Sequence, residues 1–192
     1  MADKYYQKAI AGGDLSALND YGTLLAGEQR FGEAIDMFTR SAAFGDVLAP
    51  GNLIAIYVDD LEDFDSAVTF GEQYLDSSKP GVYPALADAY AHLGRFEEAE
   101  NLFQQALELG APRVHQKYAW FLWLQRNDLT GAEREFWAAH DHDEEGWSHA
   151  LGYFLIDQKR IPEARAVLER GVSWGDLDAS DLLDDLGRDD MK

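Results

Sequence analysis

The sequence contains no cysteine. That excludes disulfides, thiolate metal sites and thiol catalysis, and it makes a cytoplasmic location the default expectation. Basic residues are scarce: 16 Lys and Arg stand against 36 Asp and Glu, a formal net charge of −20 at pH 7. A field of that sign repels a phosphate backbone, so no direct nucleic-acid binding is expected. No apolar run approaches the roughly 18 residues of a membrane span, so no membrane association is expected. The opening "MADKYYQKAIAGGD" lacks the basic start and apolar stretch of a signal peptide. Strand signals are almost absent. The glycine-rich "AGGD" does not follow a strand, so it is not a phosphate loop.

What is present is a repeat. Ala34, Ala67, Ala99, Ala132 and Ala164 recur 33, 32, 33 and 32 residues apart. Each has an apolar residue three positions before it: Phe31, Phe64, Phe96, Leu129 and Ile161. Four positions after come Phe38, Gly71, Phe103, Phe136 and Leu168. Twelve before each alanine stand Gly22, Ala55, Ala87, Trp120 and Gly152, four of them small, and nine before stand large apolar residues. The offsets −3, 0, +4 and +7 lie on one face of a helix with a 3.6-residue period. The pattern predicts about five helix–turn–helix units, each with a helix A carrying the −12 residue and a helix B carrying the alanine. Small residues let the helices approach closely, and large ones fill the space beside them.

The turns agree. Gly13-Asp14, Gly45-Asp46 and Gly175-Asp176 each end one amphipathic run and begin another, glycine suiting the left-handed closing residue and aspartate the next cap. The five prolines fall near predicted helix starts, where a missing N–H costs least. "NLIAIYV" looks strand-like locally, but its place in the repeat makes it a helix A.

The third unit, "GVYPALADAYAHLGRFEEAENLFQQALELGAP", resembles a tetratricopeptide repeat in its small–aromatic–Gly–aromatic–Ala pattern. "YYQKAIAGGDLSAL" and "FTRSAAFGDVLA" resemble the related Sel1-like repeats. The resemblance implies an all-α, right-handed α-solenoid whose concave face, lined by helix A, binds peptides or partner proteins. The expected organisation is a single repeat domain over 1–192: an N-terminal capping helix in 1–13, repeats at 14–45, 46–78, 79–111, 112–143 and 144–175, and an acidic capping helix and tail in 176–192. Trp120 at a small position and Gly71 at a large one predict irregular packing in the second and fourth units.

No catalytic motif is legible, so no enzymatic activity and no cofactor are expected. In "HDHDEE", His140 and His142 are candidate transition-metal ligands. They fall in a connection between units where solvated polar residues belong, and no metal site is expected there. The Asp-rich "VDDLEDFD" lacks the spacing of a calcium loop.

Projection of helix A places Ile56, Asp60, Asp88, Lys117, Phe121, His149, Tyr153 and Asp157 toward the concave face. Carboxylates mixed with aromatic surface suit a basic or amphipathic segment of a protein or peptide partner. The clamp of lysines, arginine and asparagines by which the family holds a C-terminal carboxylate is not reproduced. Two alternatives remain open: a self-assembling structural protein, such as a homodimer joined through its aromatics, and an acidic inhibitor mimicking nucleic acid.

Overall fold

In a computed structural model describing residues 2–76 and 78–189, Ala34, Ala67, Ala99, Ala132 and Ala164 are all wholly buried. Each lies in the second helix of a hairpin. The elements are α1 (Ala2–Ala11), α2 (Ala17–Gly27), α3 (Phe31–Ala43), α4 (Ala49–Ala55) continued by a π-helical segment (Ile56–Asp60), α5 (Phe64–Tyr74), α6 (Val82–His92) and α7 (Phe96–Glu108). They continue as α8 (Val114–Leu124), α9 (Leu129–Asp141), α10 (Trp147–Asp157), α11 (Ile161–Ser173) and α12 (Leu177–Asp189). No strand occurs among the described residues.

The hairpins are α2–α3, α4–α5, α6–α7, α8–α9 and α10–α11, with α1 before the first and α12 after the last. The chain divides into two compact units, Met1–Pro112 and Arg113–Lys192. In the first, consecutive helices from α1 to α7 pack on one another; in the second, those from α8 to α12 do.

The small-against-large rule is visible atom by atom. A Cβ at Gly22 would stand 2.7 Å from the ring of Phe38, which is itself buried. Where the fourth position after the alanine is Gly71, the space is filled instead by Leu86 from α6. Among the turn glycines, Gly45 and Gly175 both sit at φ 90°, in the left-handed region. The aspartates that follow do cap. Asp46 accepts from the Leu48 and Ala49 N–H groups, and Asp176 accepts from that of Ala179.

The residues before helix B alternate: Arg30, Asp63, Arg95, Asp128 and Arg160. Asp63 and Asp128 cap their own helices, accepting from Ser66 N–H at 3.1 Å and Gly131 N–H at 2.9 Å. The arginines instead pair three residues ahead with Glu33, Glu98 and Glu163. The backbone alternates in step. The N–H of each arginine reaches the carbonyl five residues back, whereas that of Asp63 or Asp128 reaches six back, to Tyr57 or Leu122. Units two and four therefore hold one more residue between helix A and helix B. That extra residue is the physical origin of the alternating 33- and 32-residue spacing. In unit two it widens the end of helix A into the π-helical segment, where the Ile56 carbonyl accepts from Leu61 N–H at 3.0 Å.

Candidate functional site

Counted back from the anchor alanine, Trp120 shares its offset with Gly22 and Gly152, but the extra residue of unit four moves it one place on. Ala119, wholly buried, is the sixth residue of α8, as Gly22 and Gly152 are of α2 and α10. Trp120, the seventh, stands edge-on to Phe136, with ring centroids 5.4 Å apart, and stacks on Trp123 at 5.2 Å. From α10, Tyr153 meets Trp120 at 5.9 Å and Trp123 at 6.1 Å. Phe154 closes the base, edge-on to Trp123 at 5.2 Å. The result is an aromatic wall on α8 and α10, with two half-buried indoles and Tyr153 at 48% exposure.

Charged residues flank the wall. His149, Tyr153 and Asp157 follow one face of α10 at spacings of four, with the His149 and Tyr153 rings 6.4 Å apart. Lys117, half-buried, lies one turn before Trp120 on α8. Eight helical residues span about 12 Å, so His149 and the exposed Asp157 mark opposite ends of the wall. Five expected site residues of the second unit thus divide. Lys117, His149, Tyr153 and Asp157 offer surface. Phe121 does not: it is 3% exposed, packed beside Tyr118. The projection fails there because the extra residue of unit four shifts the register by one, so that Trp120 and not Phe121 is the counterpart of Tyr153, each the seventh residue of its helix.

In the first unit, Ile56 is likewise 3% exposed and belongs to a core cluster with Leu53, Tyr21 and Phe38. Asp60 is exposed at the end of the π-helical segment. Partial burial, then the neighbouring Asp59 charge, raise its carboxyl above the usual range. Asp88 is half-buried on α6, which packs against that segment. Ile56 and Phe121 are therefore corrected to core residues. Trp120 and Trp123 are surface residues that the projection missed. The available signal was the 33-residue step into units two and four, which marks an added residue and moves every helix A position there by one.

Residues 84–110 match the sequence model of the tetratricopeptide repeat. A solved structure of a thermophilic TPR protein in Thermus thermophilus matches with a TM-score of 0.66 at 21% identity, over 89% of this chain and 97% of that one. The chain folds as a tetratricopeptide-repeat protein. No curated protein matches it significantly. The matched segment covers α6 and α7, the unit with the most regular pattern.

Elsewhere in the chain, the two candidate metal ligands turn to different neighbours. His140 packs edge-on to Trp147 at 4.4 Å and contacts Asp141 at 2.9 Å. His142 stacks on His115 at 4.7 Å. Among the described residues, no group of three or more histidines and carboxylates is placed to hold a metal ion. Glu144 of the same connection accepts from the His115 and Gln116 N–H groups at 3.0 and 2.9 Å, capping the start of α8. Nor is any helix among the described residues long and apolar enough to cross a membrane.

Proposed function

We infer that the protein is an interaction module that grips a segment of a partner protein along helices α8 and α10. The observation carrying this reading is the wall of Trp120, Trp123 and Tyr153, left open beside charged residues. Aromatic rings offer large contact area at small entropic cost, and their faces accept aliphatic stems and cations. An amphipathic or extended segment would lay an apolar side chain against Tyr153 and direct a lysine or arginine to Asp157. The net charge of −20 favours basic partners and speeds encounter with them, more at low salt than at physiological salt.

The reading is tested by recovering partners from cytosol with the wild-type protein and measuring their affinity for Tyr153→Ala and Asp157→Asn. Both side chains are exposed, so the variants should stay folded, and circular dichroism checks that they do. A central aromatic anchor contributes on the order of 1–2 kcal/mol, so Tyr153→Ala should weaken binding about tenfold. Unchanged affinity in both variants would remove the α8–α10 face from the interaction.

A further inference from the structure

A second apolar surface lies in the same unit, apart from the α8–α10 wall. Between the turn joining α9 to α10 and the turn joining α11 to α12 is an open cleft of about 500 Å³. Its apolar part is Trp147, Trp174 and Leu177. Trp174 is 58% exposed and Leu177 78% exposed, unusual values for adjoining large apolar side chains. The two indoles meet edge-on at 6.1 Å.

The rest of the lining is acidic, and its carboxylates fall into two kinds. Glu144 and Asp176 are engaged in the fold, Glu144 at the start of α8 and Asp176 with Ser148 Oγ and the Ala179 N–H. The carboxylates of Asp143, Glu145 and Asp178 have no hydrogen-bonding or ionic partner among the described residues. No lysine or arginine lines the cleft.

The chain's own chemistry shows what these indoles accept. The Arg170 guanidinium carbon lies 5.2 Å from the Trp174 ring centroid and 5.9 Å from that of Trp147. A guanidinium is planar, weakly hydrated and able to stack on an indole while donating two parallel hydrogen bonds to a carboxylate. An anion would meet three unneutralised carboxylates. A purely apolar group would cover those carboxylates without pairing them, which is costly. A lysine would supply the charge but neither the stacking plane nor the fork.

We propose that this cleft is a docking site for an arginine of a basic partner segment, with the guanidinium held between Trp174 and the carboxylates of Glu145 and Asp178. The site deepens the protein-binding reading by giving a basic partner an anchor away from the α8–α10 wall, and it stands on separate residues.

The test uses the full chain and the peptide acetyl-Gly-Leu-Arg-Leu-Gly-amide, against the same peptide with citrulline for arginine. Citrulline keeps the shape and loses the charge. The five tryptophans give five indole N–H signals in a nitrogen-15 spectrum, assigned through single Trp→Phe variants. The expected result is a saturable shift of the Trp147 and Trp174 signals with the arginine peptide, about tenfold weaker with citrulline and weaker at high salt. Glu145→Gln with Asp178→Asn should weaken binding severalfold at an unchanged melting midpoint. Equal binding of the citrulline peptide, or no indole shift at millimolar peptide, would overturn the proposal. Shifts confined to Trp120 and Trp123 would overturn it too while leaving the α8–α10 reading standing. Loss of partner binding in Tyr153→Ala with the cleft shifts intact would separate the two sites.

Discussion

Arg160 donates to Glu133 at 2.6 Å, reaching 27 residues back to the preceding helix B. Arg30 makes the same reach to Asp3 at 2.9 Å, across the same interval. Both arginines also pair with a glutamate three residues ahead. One side chain thus ties the start of its own helix B to the helix B before it, and α1 is treated as such a helix although no helix A precedes it among the described residues. At the equivalent place in the third unit, Arg95 lies over the Tyr90 ring at 3.8 Å, and Tyr90 donates to Glu72 of the preceding helix B.

Arg160→Ala should lower stability by about 0.5–1 kcal/mol, since the side chain is one-third exposed and solvent weakens such pairs. A double-mutant cycle with Glu133→Ala, read from urea unfolding, should show coupling that shrinks in high salt. Coupling within error of zero would make the contact decorative.

Gly22→Ala sets helix propensity against packing. Alanine gains about 1 kcal/mol over glycine within a helix, while overpacking a tight contact costs about 1–3 kcal/mol. Three Phe38 ring atoms stand at 2.7–3.0 Å from the added carbon, and a buried ring has little room to turn. Packing should win, with a net loss of about 1 kcal/mol. Gly32→Ala is the control, because a Cβ there meets nothing within 4 Å; its melting midpoint should hold or rise. A Gly22→Ala protein as stable as wild type would refute the close contact.

Phe121→Ala should act on stability. A ring that is 97% buried in the core, judged from its 3% exposure, leaves a cavity costing about 3–5 kcal/mol. Chemical denaturation should show that loss. If instead the protein melts as before but binds its partner less well, Phe121 faces solvent after all.

Acid should destabilise the fold. The carboxyls of Glu33, Glu98 and Glu163 are held below their usual range by hydrogen bonds from Arg30, Arg95 and Arg160, and Asp63 by hydrogen bonds from Ser66. Asp176 is lowered as well: burial opposes this, but hydrogen bonds from Ser148 and two backbone N–H groups outweigh it. Groups lowered in the folded state add stability above the ordinary carboxylate range, near 4, and lose it as pH falls through the folded values. Asp60, raised by burial, runs the other way and is outnumbered. At physiological ionic strength, which screens the repulsion of the negative charges, the melting midpoint should be level from about pH 7 to 5 and fall from about 4 toward 2. A midpoint that rises below pH 4 would show that relief of charge repulsion dominates.

The helices and their pairing were legible because the evidence for them is local. The recurrence of Ala34, Ala67, Ala99, Ala132 and Ala164 records a contact repeated five times, and each is wholly buried. A solenoid unit touches only its neighbours, so a packing rule within one unit is written into every unit. The same locality placed the turns at Gly45 and Gly175 and let "NLIAIYV" be read as helix against its local appearance.

The candidate site was only partly legible. Lys117, His149, Tyr153 and Asp157 keep the outward places the register assigns, while Ile56 and Phe121 do not. Outwardness on a helix turns by about 100° per residue, so a single added residue moves it. Units two and four both carry that extra residue, which puts Ile56 and Phe121 one place past the outward position held by Tyr153 in α10.

The sequence by itself therefore determined the all-α class, the order of the helices and the alternation of 33- and 32-residue spacings, because these depend on contacts between residues near in the chain. Only the tertiary structure decided that Trp120, Trp123 and Tyr153 form one wall, and that Trp147, Trp174 and Leu177 line one cleft. Those groupings join side chains of helices and turns about 30 residues apart. They depend on how successive helices pack against one another, which brings particular faces and turns together.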